Sequence, residues 1–227
     1  MALSHCWGPP EHICKTTRLT LEDHKLEIPW SDLSKTFQEA IEVTRRLGIR
    51  YLWIDSLCII QGDAEDWDRE AENMGNIYMY AYLTLAATAS ASGAGGLFAE
   101  RDDNVISFVL PPDPDTDSKI LTLKARRRRL HQALNVQNLA GGNPLSRRAW
   151  AYQERLLAKR ILHFGSEELI WECRTEQTCE CAHPFVSRTN LNEPIREDCT
   201  LAETWQDLVS SYTPLELTYE EDRLPAL

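Results

Sequence analysis

Residues 51–61 read YLWIDSLCIIQ, a run of apolar, β-branched and aromatic side chains interrupted by one carboxylate, Asp55. A segment this short and this rich in Tyr, Trp and Ile predicts a strand buried on both faces, the kind found inside parallel sheets. An ionised Asp within such a strand costs several kcal/mol unless it is paired or escapes burial. The strand is therefore expected to end at Ile54, with Asp55 at its C-terminal tip. In open α/β sheets that edge is where ligands bind. Position alone leaves two roles open for Asp55: a group facing a ligand, or a carboxylate capping the next loop.

Helical patterns flank this segment. Upstream, Thr36 with Glu39 matches a capping box, with Ser31 and Ser34 as other N-cap candidates. Phe37, Ala40, Ile41, Thr44 and Leu47 then follow helical spacing, and Gly48 supplies a stop. Downstream, Gln61-Gly62-Asp63 makes a turn with Asp63 as N-cap. Trp67, Ala71, Met74, Tyr78 and Ala81 fall on one stripe of a second helix at about 65–81. LTLAATA (83–89) reads as a small-residue strand and ASGAGG (91–96) as a loop. ALSHCW (2–7) is a short apolar segment stopped by Gly8-Pro9-Pro10. The order β-α-β-α-β predicts a parallel sheet in which strands near 2–6, 51–54 and 83–89 are neighbours.

After Gly96 the pattern changes. VISFVL (105–110) and KILTLKA (119–125) flank a Pro/Asp turn and predict an antiparallel hairpin. Residues 138–146 read as loop, 146–160 as helix, and ILHFG with ELIWECR as a further hairpin. Residues 176–200 are polar and irregular, 201–212 form an amphipathic helix, and an acidic loop follows. The fold class is α/β: a parallel sheet core with antiparallel hairpin insertions and a C-terminal helical extension.

Composition excludes several classes. The 227 residues are 43% hydrophobic and 26% charged, ordinary for a globular protein with one good core. No apolar run approaches the roughly 20 residues of a membrane span. MALSHCWGPP lacks the basic and apolar regions of a signal peptide. A net charge of −11 argues against nucleic acid or anionic membranes as partners. Arg126–Arg129, the one dense basic block, reads as a solvated face. Seven cysteines, an odd number without a signal peptide, favour reduced thiols and a cytoplasmic location. Cys173, Cys179, Cys181 and His183 lie close in sequence but lack the paired spacing of a structural zinc site, so no metal is expected.

Three blocks carry a resemblance: LSHCWG at 3–8; TFQEAIEVTRRLGIRYLWIDSLCIIQ at 36–61 with DWDREAENMGNIYMYAYLTLAATAS at 66–90; and RAWAYQERLLAKRILHFG at 148–165. Together they resemble the fungal heterokaryon incompatibility (HET) domain, over most of residues 2–173. That family is associated with self/non-self recognition between fused hyphae and with programmed cell death. It is distantly similar to TIR domains, which are flavodoxin-like and some of which cleave NAD.

The TIR likeness implies particular residues. Ser4-His5 matches the Ser-His that ends the first TIR strand, and Asp55 matches an Asp that ends the second. Trp150-Ala-Tyr-Gln-Glu154 has the spacing of the catalytic Glu in NAD-cleaving members. A carboxylate beneath the ribose would stabilise an oxocarbenium-like centre and orient its hydroxyls, and Glu154 is the candidate. The alternative is a helix-surface Glu paired with Arg147 or Lys159. Glu70, one turn after Trp67, is the fallback acid. Arg147 and Arg148 lie where a pyrophosphate would meet a helix start, or are plain surface charge. Trp7 stacks on a base or plugs the core. His5 and Cys6 are sequence neighbours that point to opposite faces of a strand, which argues against a Cys–His nucleophile. Trp67, Met74 and Tyr78 read as helix packing.

The HET domain is thus placed at 1–173, with an insertion at about 97–145, and a C-terminal extension at 174–227. The family usually has more sequence ahead of LSHCWG, and DRLPAL reads as though a longer chain continues. No cofactor is required; NAD enters as a substrate. The functional alternative is a non-catalytic interaction module, self-associating or recruiting death-signalling partners through a strand edge.

Overall fold

A computed structural model describes residues 1–9, 13–100, 105–110, 121–126, 143–180 and 200–227. In chain order its elements are β1 (Ala2–Ser4), α1 (Leu21–Leu26), α2 (Lys35–Arg46), α3 (Asp55–Cys58), α4 (Ala64–Tyr80), β2 (Thr84–Ala86), β3 (Val105–Leu110), β4 (Leu121–Arg126), α5 (Ala149–Leu157), β5 (Arg160–Phe164), β6 (Leu169–Cys173), β7 (Gln177–Cys179) and α6 (Leu201–Tyr212). The chain divides into two units, residues 1–99 with 133–227, and residues 100–132. The smaller unit holds the hairpin β3–β4, antiparallel from Val105↔Arg126 to Leu110↔Leu121, as its alternating sequence predicts.

The larger unit is built on a five-stranded sheet of order β1-β2-β5-β6-β7. β1 to β2 and β2 to β5 are parallel, while β5–β6 and β6–β7 are antiparallel, so the sheet is mixed. Alternation along the strands sends successive side chains to opposite faces. Leu3, Leu85, Ala87 and Phe164 pack with Phe37 and Ala40 of α2 in one core cluster. On the other face Ala2 packs with Met74 and Tyr78 of α4, and Ala86 and Ile161 pack with Ala151 and Ala158 at α5. Both faces are therefore covered by helices, the α/β arrangement expected from the alternating pattern.

Several expectations need correction. Residues 51–54 form no extended strand; Trp53 makes an isolated parallel bridge to Ala2, with Leu3 N–H donating to Trp53 O at 3.0 Å. This segment borders β1 alone, and β1 separates it from β2. The strands are shorter than 2–6 and 83–89, because the chain bends soon after Ser4 and Ala86. Ser34, not Thr36, caps α2 by accepting from Phe37 N–H, while Thr36 is buried and donates to Gly93 O at 2.9 Å. Glu39 instead accepts from Leu97 and Phe98 N–H, tying the 91–98 loop to the helix. The hydroxyl and carboxylate read as a box therefore serve tertiary contacts. Residues 144–147 make a 3₁₀ turn where loop was expected to 146 and helix from there, the helix itself runs only over Ala149–Leu157, and 177–179, expected as irregular, pair with β6. The other calls on 181–199 and on Arg127–Arg129 lie outside the described residues.

Asp63 caps α4 as its position predicts, accepting from Asp66 N–H at 3.3 Å. α4 and α5 approach closely at Gly75, where an added Cβ would stand 3.3 Å from Leu157 Cδ1. α6 spans the predicted residues and carries a full capping box between Thr200 and Glu203. Tyr212, Leu215 and Ala226 pack against Ala149 and Tyr152, so the C-terminal stretch covers α5.

Candidate functional site

β1 ends at Ser4, and the backbone leaves the sheet through His5, Cys6 and Trp7 to Gly8. Gly8 has φ +76°, the left-handed region that favours glycine, and a Cβ there would meet Ser92 Cβ at 2.4 Å. This tight exit gathers side chains from three helices around the C-terminal end of β1. Asp55 opens the single-turn α3, Tyr78 comes from α4, Arg148 is the N-cap residue of α5, and Glu154 lies within α5.

Asp55 is the hub. Its Oδ2 accepts from the Trp7 indole N–H at 2.7 Å, and its Oδ1 accepts from Ser56 N–H at 2.7 Å and lies 3.7 Å from His5 Nδ1. Trp7 is half-buried, and its ring nitrogen holds the carboxylate. The Asp55 side chain is 14% exposed, and that of His5 only 2%. Burial pushes the His5 pKa down; Asp55 opposes and Arg148 assists this, so the ring is neutral. His5 Nδ1 has no hydrogen-bond partner. Arg148 donates to the His5 carbonyl, and its guanidinium also reaches the Cys6 thiol. Burial raises the Cys6 pKa, which keeps the thiol protonated and argues against a nucleophile.

Glu154 is buried, at 6% exposure. It is not the helix-surface residue of the alternative reading. Burial, then the charge of Asp55, push its pKa up from 4.5 to about 7; the Ser4 hydroxyl, Arg148 and the Tyr78 hydroxyl pull the other way. Its Oε2 is enclosed and accepts no hydrogen bond of ordinary geometry. Tyr78 donates to Leu3 O at 3.2 Å, and burial raises its own pKa well above the usual value. A carboxyl that is half-ionised near neutrality, beside a second carboxylate and a guanidinium, can exchange a proton or face a developing positive charge.

The structure thus brings Ser4, His5, Trp7, Asp55, Arg148 and Glu154 together. Glu70 stands apart, its Oε1 3.5 Å from Arg69 Nε on α4. Tyr78, read as packing, does pack with Ala2, but its hydroxyl belongs to the site. Helical stripe spacing reports the ring and not its tip. Among the described residues no group of three or more His, Cys, Asp or Glu is placed to hold a metal ion. Cys173 and Cys179 form no disulfide, and Cys181 and His183 lie outside the described residues. No described helix is long and apolar enough to cross a membrane.

No curated protein and no solved structure matches the chain. The family model for the heterokaryon incompatibility protein (HET) matches residues 1–154, which include Ser4, His5, Asp55, Tyr78 and Arg148 and end on Glu154 itself. The chain belongs to the heterokaryon incompatibility (HET) protein family.

Proposed function

We propose that this chain acts in self/non-self recognition and regulated cell death by binding NAD or a related nucleotide at the end of β1 and hydrolysing its N-glycosidic bond. The observation that carries the reading is Glu154: a buried carboxyl with an unpartnered oxygen, set beside Asp55 and Arg148. The distant likeness to TIR domains supports it. In the reaction the bond from the ribose C1′ to nicotinamide breaks, its electron pair leaving with the ring nitrogen. Water oxygen bonds to C1′ and sheds a proton, giving ADP-ribose and nicotinamide. The Glu154 carboxylate stabilises the positive charge at C1′ between those events. Asp55, the more exposed carboxylate, accepts from ribose hydroxyls, and Arg148 fixes the loop through the His5 carbonyl.

Because the carboxylate is the working form, turnover rises with pH through about 7. The test is incubation of the purified protein with NAD and measurement of nicotinamide release. Glu154→Gln abolishes release, and Asp55→Asn lowers it less. Wild-type protein that binds the nucleotide but releases no nicotinamide, or a Glu154→Gln variant as active as wild type, refutes the chemistry and leaves an interaction module.

A further inference from the structure

The helix that carries Glu154 starts without a cap of its own. Arg148, at the N-cap position of α5, makes no side-chain capping bond, and its guanidinium, a donor only, turns to the His5 carbonyl and the Cys6 thiol. The free amide at the helix start is met instead from the far end of the chain. Ala149 N–H donates to Glu216 O at 3.0 Å, and Glu216 N–H donates to Arg147 O at 2.7 Å. The two bonds bracket Arg148 in an isolated parallel bridge with Glu216.

The rest of 214–227 lies along α5. Trp150 Nε1 donates to Asp222 Oδ2 and Gln153 Nε2 to Pro225 O, both at 3.1 Å. The Tyr212 hydroxyl donates to Arg223 O at 2.7 Å, holding the same segment against the end of α6. Only Leu215 and Ala226 of this segment are buried, in a cluster with Ala149, Tyr152 and Tyr212. A segment with so few buried apolar side chains, held mainly by peripheral hydrogen bonds, opens at lower cost than the sheet does.

Its grip reaches the site in one step. Arg147 ends the 3₁₀ turn Pro144–Arg147, whose Leu145 packs with Cys6, and Arg148 holds the His5 carbonyl. The residues that cover the chain's exit from β1 are therefore the ones that Glu216 fixes.

We propose that residues 214–227 are a strap that positions the candidate site: docked through Glu216, it fixes Arg148 and closes the β1 exit; released, it lets both loosen while the sheet and α2 stay folded. The strap acts on the same site as the proposed hydrolysis, but its contacts stand whatever that site does to a nucleotide.

The test uses the full chain. Leu215→Ala empties a buried strap position, so hydrogen exchange at the Ala149 and Glu216 amides becomes at least about thirty-fold faster, and alkylation of Cys6 by iodoacetamide, followed on its peptide, accelerates by the same factor. Tyr212→Phe, a milder change that deletes the bond to Arg223, moves both rates together by a few-fold. Ala40→Gly, on the opposite face of the sheet, lowers global stability but leaves both rates unchanged, because α2 stays folded when the strap opens. Cys6 alkylation that does not follow the Ala149 and Glu216 amides in the strap variants overturns the proposal. So does an Ala40→Gly chain in which those amides exchange faster. None of these readouts needs nucleotide cleavage, so a chain that leaves NAD intact tests the strap equally well.

Discussion

Replacing Glu154 by Gln keeps the side chain's shape and leaves it neutral at every pH, which makes the variant a probe of stability as well as of chemistry. In the native state the Glu154 pKa is raised from 4.5 to about 7, chiefly by burial and by Asp55. Between those values the folded chain holds a proton that the unfolded chain has released. Native stability therefore falls as pH rises from about 4.5, and the loss is complete above about 7, at about 3 kcal/mol. Gln escapes that loss. Its amide oxygen can still accept from the Ser4 hydroxyl, which also acts on the native carboxyl. Glu154→Gln is therefore more stable than wild type by about 3 kcal/mol at pH 8, a Tm rise of about 6–12 °C for a chain of this size. Near pH 4.5 the two are about equal. Urea denaturation of both proteins at pH 5 and pH 8 reads the difference directly, because titrating groups that do not interact with Glu154 cancel between them. A stability gap that does not grow with pH would refute the reasoning. A gap that grows while nicotinamide release is lost marks a site kept at the expense of stability.

Glu172→Gln has the opposite pH signature. The native pKa of about 2 lies below the usual 4.5, so its stabilisation is fully present above about 4.5 and is lost as pH falls towards 2. At pH 7 the variant leaves Arg155 without its buried partner carboxylate and is destabilised by about 3–5 kcal/mol, and urea titrations at pH 3 show a narrower gap. Gly8→Ala forces a side chain into the left-handed region and against Ser92, at a cost of about 2–4 kcal/mol, whereas Gly62→Ala, with φ +82° and open space around it, costs about 1 kcal/mol. Equal falls in Tm for the two alanine variants would count against the close contact at Ser92.

Much of the architecture was legible because periodicity is a local property. The stripes Phe37–Ala40–Thr44 and Met74–Tyr78 place α2 and α4, and the β5–β6 hairpin shows in the alternation of ILHFG and ELIWECR. The segment 51–54 misled because apolar, β-branched residues report burial, and burial needs no ladder. Trp53 is held by two backbone hydrogen bonds to Met1 and Leu3, while Ile54 already turns into the core beside α3. Thr36 and Glu39 misled for a similar reason: the same donor and acceptor serve a cap or a distant loop equally well. The grouping of Ser4, His5, Asp55, Arg148 and Glu154 rested on a resemblance, since nothing in spacing alone brings residue 154 to residue 4. The buried contact between His163 and Glu172 was not legible at all. His163 pairs with Ile170, and Glu172 with Ile161, so the two polar side chains meet diagonally across the strands. Only the register reveals that.

β1 is three residues long and stands at the end of the sheet, paired with β2 on one side and joined by the isolated bridge at Trp53 on the other. Its partners are made long after it. During synthesis Ala2–Ser4 leave the ribosome well before Trp53, and before Thr84–Ala86 and α5. Ordering this strand closes loops of some 50 and 80 residues at once, contacts of the non-local kind that slow folding. The element that anchors the site is accordingly among the last to lock. A nascent chain stalled before Glu154 holds an unfinished pocket and no acid, so any activity of this site begins only when the domain is nearly complete.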